Sequence, residues 1–403
     1  VPISPWGGRT GLVDGAFATG AIALLTDRMT AIEEIDAAGS TMTVQAGCIL
    51  QTAAEAAEAQ NLFLPLDLGA RGSATIGGVV STNAGGNRVL RYGMTRDMVL
   101  GLEGVLADGT IVSALNPLIK NNTGFDLKQL FIGSEGCLGI VTRAVLRLRP
   151  LPASQETALL AVDDFKALPK LLRLAEGELS GTLSAFEVMW AEFYELVTTA
   201  PANGRPVLPP GSPFYVLVET LGSDQGADAE RMQRVLEKAL ETGLVTDAVI
   251  AKSKAERDRM WALRDDVAQV ARNGPVVTFD VSLKISQMEA YLDELRAALK
   301  ARWAAPTTTV FGHLGDGNLH LIVGVGDRSA RHDIEDVVYG LLQQHAGSIS
   351  AEHGIGLQKR AYLACSRSPE EIALMVRLKA ALDPNNILNP GKVLEPAREA
   401  VPA

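Results

Sequence analysis

The chain has 403 residues, of which 47% are hydrophobic and 21% are charged. This length predicts roughly two to three domains, and the apolar fraction is large enough for sizeable cores, which excludes intrinsic disorder of the whole chain. The formal net charge of −10 argues against a protein that lives on nucleic acid or on an anionic membrane, because those surfaces require a basic face.

The first 150 residues contain short apolar runs separated by turns. Apolar residues recur at helical spacing over 49–59, which predicts one helix there. Asp108-Gly109 predicts a two-residue hairpin turn, and Pro150-Leu151-Pro152 predicts a domain boundary. Strands are predicted over 21–26, 31–36, 41–46, 99–107, 110–113 and 140–148.

Beyond about residue 155, longer strands alternate with longer helices. Segment 200–213 is rich in proline and glycine and is predicted to be a surface loop. The chain is therefore predicted to be α+β, with a strand-rich domain followed by a larger mixed one. Strands are predicted over 214–221, 276–283, 308–313 and 318–325, and helices over 226–241, 253–272, 286–302, 328–345 and 369–382.

The three cysteines, Cys48, Cys137 and Cys365, lie far apart and form no CxxC pair. This spacing excludes a disulfide scaffold and a thiolate zinc knuckle, and it is typical of a reducing compartment. The sequence contains no apolar run of about 18 residues and no signal peptide. We therefore expect a cytoplasmic protein without a transmembrane segment, with peripheral attachment to a membrane as the alternative.

Three segments rich in glycine and small polar residues cover 5–12, 66–93 and 133–139. Glycine lets the backbone approach a ligand closely, and backbone N–H groups in such turns bind phosphate oxygens. The segments match neither the GxGxxG loop of a Rossmann fold nor a Walker loop. They predict a phosphate or dinucleotide ligand on a different nucleotide-binding fold, and the alternative is that they are ordinary turns.

Three of the five histidines, His313, His320 and His353, lie in two glycine-framed runs, and Glu352 precedes the third. Imidazole and carboxylate groups are ligands for zinc or manganese. We predict that His313, His320 and Glu352 bind a metal and that His353 is the acid–base group, because histidine has a reference pKa of about 6.5. The alternative is that these histidines are hydrogen-bonded core residues. The two remaining histidines are predicted to lie at the surface: His332 and His345.

The glycine-rich segments resemble the FAD-binding domain of vanillyl-alcohol oxidase-type flavoproteins, and the histidine motifs resemble the D-lactate, glycolate and D-2-hydroxyglutarate dehydrogenase branch of that family. The motifs follow the family order over essentially the whole chain. The resemblance implies an FAD-binding domain over 1–150, a substrate (cap) domain with an antiparallel sheet over 151–355, and a helical segment over 356–403 that returns to the first domain. Because Val1 lies inside the first motif, we expect a further part of the FAD-binding domain to precede it.

The resemblance also implies the roles of individual residues. It assigns metal binding to His313, His320 and Glu352, proton abstraction to His353, and the substrate carboxylate to Arg264. It assigns FAD binding to Gly7, Gly8, Arg9, Thr10, Gly11, Pro65, Gly72, Thr75, Gly77, Gly78, Thr82, Asn83, Gly85, Gly86, Tyr92, Gly93, Glu135, Gly136, Gly139, Ile140 and Asn389.

The implied reaction is the oxidation of a D-2-hydroxy acid to a 2-oxo acid, with metal-assisted loss of the hydroxyl proton and hydride transfer to flavin N5. Segment 120–130 is most similar to the 2-hydroxyglutarate enzymes. However, Ala268, Thr278 and Ile322 occupy positions where those enzymes place polar substrate contacts. An unpaired distal carboxylate is costly to bury, so 2-hydroxyglutarate and lactate both remain candidate substrates.

Two other functions fit the same scaffold. One is an FAD-dependent oxidase or alkyl-transfer enzyme, and the other is a non-catalytic FAD electron-transfer subunit. The sequence contains no iron–sulfur cysteine cluster, haem CxxCH motif or nicotinamide fingerprint. We therefore expect an external electron acceptor, either an electron-transfer flavoprotein or a quinone, and a homodimer is a further expectation.

Overall fold

The computed structural model describes residues 1–395, which divide into two compact units. The first unit comprises 1–86, 92–151 and 352–395, and the second comprises 87–91 and 152–351. The chain enters the second unit at Leu151–Pro152, where proline rigidifies the backbone. The sequence pattern did not predict the short excursion over Asn87–Arg91. Residues 396–403, the end of the predicted C-terminal segment, lie outside the described residues.

The first unit contains nine short strands, as its predicted strand-rich character requires. They are β1 (Ile3–Trp6), β2 (Ile22–Leu25), β3 (Ile32–Asp36), β4 (Thr41–Gln45), β5 (Leu62–Phe63), β6 (Val99–Val105), β7 (Ile111–Ala114), β8 (Ile140–Arg147) and β9 (Arg149–Pro150). Five of them form an antiparallel sheet in the order β3-β4-β8-β6-β7. Strands β1 and β2 form a separate parallel pair, and β5 pairs with β9.

Helices of the first unit share a hydrophobic core with the five-stranded sheet. The predicted helix is α1 (Leu50–Glu58), which buries Leu50, Ala53 and Ala57 in the same core as Met42 and Leu146. These three positions lie on one helical face, so apolar periodicity accounts for the docking of α1. The other helices up to the domain boundary are short: α2 (Ile76–Thr82), α3 (Val89–Tyr92), α4 (Thr95–Met98) and α5 (Lys128–Phe131). Most of α3 belongs to the second unit, because 87–91 lie there.

The second unit is built on a seven-stranded antiparallel sheet. Its strands are β10 (Ser154–Val162), β11 (Leu183–Trp190), β12 (Phe214–Gly222), β13 (Asp247–Ile250), β14 (Val276–Ser282), β15 (Thr307–His313) and β16 (Asn318–Gly324). They are ordered β13-β10-β12-β11-β15-β16-β14. Its helices are α6 (Ala167–Glu178), α7 (Ala191–Thr198), α8 (Gln225–Glu241), α9 (Lys254–Asp265), α10 (Ile285–Arg302) and α11 (Arg331–Gln344).

Helix α9 is shorter than predicted. Ser253 caps its N-terminus by accepting a hydrogen bond from the Glu256 N–H. Asp266, with φ −78° and ψ 49°, leaves the helical region, and a 3₁₀ helix follows over Val267–Asn273. The prediction of one continuous helix over 253–272 is therefore wrong, and the break places Arg264 in the last turn of α9.

Two predicted surface features are more buried than expected. In the proline-rich loop, Leu208 is buried in an apolar cluster, and the Tyr194 hydroxyl accepts hydrogen bonds from the backbone N–H groups of Val207 and Leu208. His345 is half-buried, with its Nε2 2.9 Å from a Glu294 carboxylate oxygen and its ring against Tyr291. The prediction that His345 lies at the surface is therefore wrong.

The chain re-enters the first unit at Glu352. A 3₁₀ helix over Arg360–Cys365 leads to α12 (Pro369–Leu382), which the sequence predicted with the same bounds. A capping box between Ser368 and Glu371 defines the start of α12. Among residues 1–395, no helix is both long and apolar enough to cross a membrane.

Candidate active site

The three glycine-rich segments meet in the first unit. A Cβ added to Gly8 would lie 1.9 Å from the carbonyl oxygen of Ser73, so the first and second segments approach more closely than any side chain would permit. The Glu135 N–H donates to the Ser81 carbonyl at 2.8 Å, which joins the third segment to α2. We call segments 5–12, 72–86 and 133–139 together the glycine cradle. Its backbone N–H groups and small side chains suit the phosphates of a dinucleotide, and all predicted FAD-binding residues lie in the first unit.

Glu352 lies at one end of the glycine cradle. Its carboxylate accepts a hydrogen bond from the N–H of Gly86. Gly86 has φ +105°, and an added Cβ would lie 2.1 Å from the Asp67 carbonyl oxygen, so glycine is required at this turn. The structure thus links a predicted metal ligand with a residue of the predicted FAD site.

Glu135 anchors the loop that follows His353. One carboxylate oxygen accepts the Ile355 N–H at 2.7 Å, and the other accepts the Gly356 N–H at 2.8 Å. Burial raises the pKa of Glu135, whereas these two donors and the charge of Lys359 act in the opposite direction. The predicted cofactor residue Glu135 therefore holds the backbone of the 352–356 loop with its side chain.

Asn389 joins the C-terminal tail to the glycine cradle. Its amide nitrogen donates to the carbonyl oxygens of Glu135 at 2.8 Å and Gly15 at 3.1 Å, and its amide oxygen accepts from the Ser4 hydroxyl at 3.0 Å. The side chain is buried and its polar atoms are engaged in these bonds. Its contribution to the predicted FAD site is to hold the surrounding loops in place.

The second unit contains a buried cluster of Glu187, Arg264 and His313. One Glu187 oxygen lies 2.6 Å from His313 Nδ1, and the other accepts a hydrogen bond from Arg264 Nε at 2.9 Å. Arg264 Nη2 lies 3.0 Å from His313 Nε2, which closes the cluster into a triangle. All three residues are at most 6% exposed. Arg264 is therefore a buried member of this cluster, although it belongs to a charged helix.

The hydrogen bonds of this cluster determine the tautomer of His313. A guanidinium can only donate, so the contact with Arg264 requires a lone pair on His313 Nε2. The proton then resides on Nδ1 and is donated to Glu187. Burial alone would raise the pKa of Glu187, but His313 and Arg264 outweigh this effect and hold its pKa below the usual range.

His320 lies beside His313 on the same face of the sheet. Strands β15 and β16 are adjacent, and the two imidazole rings have centroids 5.3 Å apart at an angle of 77°. The buried carboxylate of Asp280 lies 3.9 Å from His320 Nδ1 and accepts a hydrogen bond from the Asn318 amide at 2.7 Å. Two neighbouring imidazoles with carboxylates behind them form a donor set that suits a divalent metal.

The three positions that bear on substrate choice have different environments. Ile322 is 2% exposed and packs in an apolar cluster that includes Phe311 and Leu263. Thr278 pairs with Ile322 across β14 and β16, and its side chain is exposed. Ala268 lies in the 3₁₀ helix after α9.

Glu187 was not identified from the sequence. It is the only charged residue of β11, a strand in which all eight residues are buried. A carboxylate in such a strand must have partners, because an isolated buried charge is very costly. This lone acidic residue in an apolar strand is a signal that could have identified Glu187.

Two family descriptions match parts of the chain, and the second match spans both structural units because it includes 352–393 of the first unit. Residues 1–115 match the family described as FAD binding domain, and residues 151–393 match the family described as FAD linked oxidases, C-terminal domain. The mitochondrial D-2-hydroxyglutarate dehydrogenase of Rattus norvegicus is 43% identical over 400 residues, which cover 98% of this chain and 74% of the relative. D-2-hydroxyglutarate dehydrogenase of Xanthomonas citri pv. viticola is 40% identical over 403 residues, which cover 98% of this chain and 84% of the relative.

Solved structures share the fold at low sequence identity. p-Cresol methylhydroxylase with substrate bound has a TM-score of 0.76 at 16% identity and covers 98% of this chain and 84% of its own. Alkyldihydroxyacetonephosphate synthase has a TM-score of 0.72 at 16% identity, and the match covers 96% of this chain and 72% of the synthase chain. These likenesses confirm the predicted α+β flavoprotein fold of the vanillyl-alcohol oxidase type. The chain belongs to the FAD-linked oxidase family, and its sequence is similar to members named D-2-hydroxyglutarate dehydrogenase.

Proposed function

We propose that the chain is an FAD-dependent dehydrogenase that oxidises a D-2-hydroxy acid to the corresponding 2-oxo acid. The observation that supports this proposal most directly is the buried Arg264 guanidinium beside His313 and His320, because it combines a carboxylate-binding cation with imidazole metal ligands. D-2-hydroxyglutarate is the first substrate to test, since relatives with that name are similar over 98% of the chain.

The residues of the chain would divide the work as follows. Arg264 binds the substrate carboxylate with its planar set of N–H donors. His313, His320 and Glu352 hold a zinc or manganese ion, and His353 accepts the hydroxyl proton on an imidazole nitrogen. A bound divalent cation lowers the pKa of a coordinated hydroxyl, and bound FAD supplies the hydride acceptor at N5. The protein contributes placement and charge compensation to this reaction.

The electron acceptor, assembly and location are further proposals. We infer an external acceptor, either an electron-transfer flavoprotein or a quinone, and a homodimeric assembly. The rat relative carries a mitochondrial name, whereas the cysteine usage of this chain led us to expect the cytoplasm. Chromatography of the purified protein on a calibrated column would test the dimer directly.

Stopped-flow measurement of flavin absorbance tests the proposed reaction. The holoenzyme should be reduced by D-2-hydroxyglutarate or D-lactate, and the L-enantiomers should be at least about 100-fold slower. His353→Ala should retain the FAD spectrum and lose flavin reduction. The matched control is His332→Ala, because His332 is exposed. Equal reduction rates in His353→Ala and the wild type would contradict the role of His353.

Two further measurements separate the remaining functions. Treatment with a chelator, followed by return of zinc or manganese, should abolish and then restore flavin reduction, and an unchanged rate after complete metal removal would contradict the metal role. Rapid reoxidation of the reduced flavin by oxygen, with peroxide formation, would identify an oxidase instead. A flavin that no 2-hydroxy acid reduces would favour a non-catalytic electron-transfer subunit.

A further inference from the structure

We propose that Glu187 is a positioning residue that simultaneously fixes the metal-binding tautomer of His313 and the orientation of Arg264. This inference rests on the proposed function, in which His313 binds a metal and Arg264 binds the substrate carboxylate. Glu187 itself is neither a metal ligand nor a substrate contact. Its carboxylate is the shared hydrogen-bond acceptor of His313 and Arg264.

The geometry of Glu187 matches this double role. The side chain projects from β11, and β11 pairs with β15 in a register that sets Glu187 opposite His313. Each carboxylate oxygen has its own partner: His313 Nδ1 at 2.6 Å for one and Arg264 Nε at 2.9 Å for the other. Because both partners donate, only a group with two acceptor oxygens satisfies both of them.

The consequence for His313 is chemical as well as geometric. Donation from Nδ1 to Glu187 keeps Nε2 unprotonated and makes the ring more basic. The lone pair of Nε2 faces Arg264 Nη2 at 3.0 Å in this structure, so a metal ion bound at Nε2 would take the place of that donor. Carboxylates behind metal-binding histidines commonly act in this way, and their loss costs about 10- to 100-fold in metal affinity or activity. Fixing Arg264 through Nε orients the plane of its guanidinium relative to the same imidazole.

A glutamine at position 187 would reverse this arrangement. Its single amide oxygen can accept from Arg264 Nε, but its NH₂ group then faces His313 and donates to Nδ1. His313 would consequently carry its proton on Nε2, where it cannot bind a metal. This proton would face the Arg264 Nη2 donor, so the contact between Arg264 and His313 would also be lost. Glu187→Asp retains both acceptor oxygens on a shorter side chain and should preserve the tautomer, so it serves as the rescue variant.

Glu219 offers a matched control. It is 1% exposed on β12, the strand next to β11, and its carboxylate accepts hydrogen bonds from Trp261 and Gln155. Glu219→Gln therefore also replaces a buried carboxylate of the same sheet, but it leaves the partners of His313 unchanged. A loss of Zn²⁺ affinity shared by Glu187→Gln and Glu219→Gln would reflect a general loss of stability.

The first experiment measures the tautomer by long-range ¹H–¹⁵N NMR of FAD-loaded, metal-free protein with ¹⁵N-labelled histidine. With only five histidines in the chain, the His313 signal can be assigned by its loss in His313→Asn. We expect an Nδ1–H imidazole in the wild type, in Glu187→Asp and in Glu219→Gln, and an Nε2–H imidazole in Glu187→Gln. An Nε2–H tautomer in the wild type would overturn the proposal without reference to the folding of any variant.

The second experiment titrates Zn²⁺ into the same proteins against a chromophoric chelator. We expect Glu187→Gln to bind Zn²⁺ about 10- to 100-fold more weakly, and Glu187→Asp and Glu219→Gln to remain within a few-fold of the wild type. Wild-type affinity in a folded Glu187→Gln would overturn the role of Glu187 and leave the proposed function intact. A wild type that binds no Zn²⁺ and no Mn²⁺ would instead refute the metal-dependent function.

Discussion

The link between Glu135 and the loop after His353 makes a testable prediction about how the candidate active site is held. The perturbation is Glu135→Gln, which keeps the shape of the side chain and removes its charge. In the wild type the two carboxylate oxygens accept the N–H groups of Ile355 and Gly356 at 2.7 and 2.8 Å. Glutamine can accept only one of these bonds, and its NH₂ group would face the other donor.

The expected cost follows from these two contacts. A hydrogen bond to a charged group contributes about 1.5–3 kcal/mol, and leaving a buried donor without an acceptor costs about 1–3 kcal/mol. We therefore expect Glu135→Gln to destabilise the 352–356 loop by about 3 kcal/mol, which corresponds to an opening equilibrium about 100-fold more favourable. Because Glu352 and His353 belong to this loop, flavin reduction by substrate should slow.

Hydrogen exchange followed by mass spectrometry at pH 8 is the appropriate assay, with flavin reduction measured in parallel. Peptides containing Ile355 and Gly356 should exchange about 100-fold faster in Glu135→Gln, while peptides from the second unit remain unchanged. Glu34→Gln is the control, since Glu34 is an exposed glutamate of the same unit. Unchanged exchange of the 352–356 loop in Glu135→Gln would refute the anchoring role.

Two further predictions concern buried groups of the first unit. Burial opposes ionisation of Asp383, but the hydrogen bond from Lys379 and two backbone N–H groups outweigh it and lower its pKa. Its stabilisation is therefore present above the unfolded pKa of about 3.9 and is lost as the pH falls through the folded pKa. Asp383→Asn should lower the free energy of unfolding by about 3 kcal/mol near pH 7 and by progressively less below about pH 4. Urea unfolding of this variant, with the exposed Asp36→Asn as the control, tests the prediction. A loss of stability that does not change with pH would contradict it. Burial and the nearby Glu135 charge raise the pKa of Cys137 to about 12. A thiol reagent at pH 8 should therefore label the half-exposed Cys365 and should not label Cys137 until the protein unfolds. Rapid labelling of Cys137 in the native protein would contradict this prediction.

Local patterns in the sequence predicted the elements whose signals lie within a few residues. Asp108-Gly109 does lie in the turn between β6 and β7, with Gly109 at φ +88°, but the hydrogen bond from the Leu106 N–H to the Thr110 carbonyl encloses three residues rather than the predicted two. The apolar period of α1 likewise predicted its position. Strands β10 and β11 were not assigned, because a strand buried on both faces shows no alternation that separates it from a buried helix.

The candidate site required contacts that no local pattern contains. His313 was recognised from its glycine-framed motif, but its partner Glu187 lies 126 positions earlier in the chain. Only the antiparallel pairing of β11 with β15 brings the two residues opposite each other. Arg264 posed the same difficulty, since a charged helix normally faces solvent, and the break at Asp266 that ends α9 was not visible in its composition.

The environment of Ile322 changes the argument about substrate size. The apolar side chain at this position suggested a pocket that would not accept a second carboxylate. However, Ile322 is 2% exposed and shares an apolar cluster with Phe311 and Leu263, so core packing is sufficient to explain an isoleucine there. An asparagine would have to bury an amide among these side chains, at a cost of about 1–3 kcal/mol if it found no partner. The choice of isoleucine is therefore no evidence against a dicarboxylate, and flavin reduction by D-2-hydroxyglutarate and by D-lactate has to decide between the two candidate substrates.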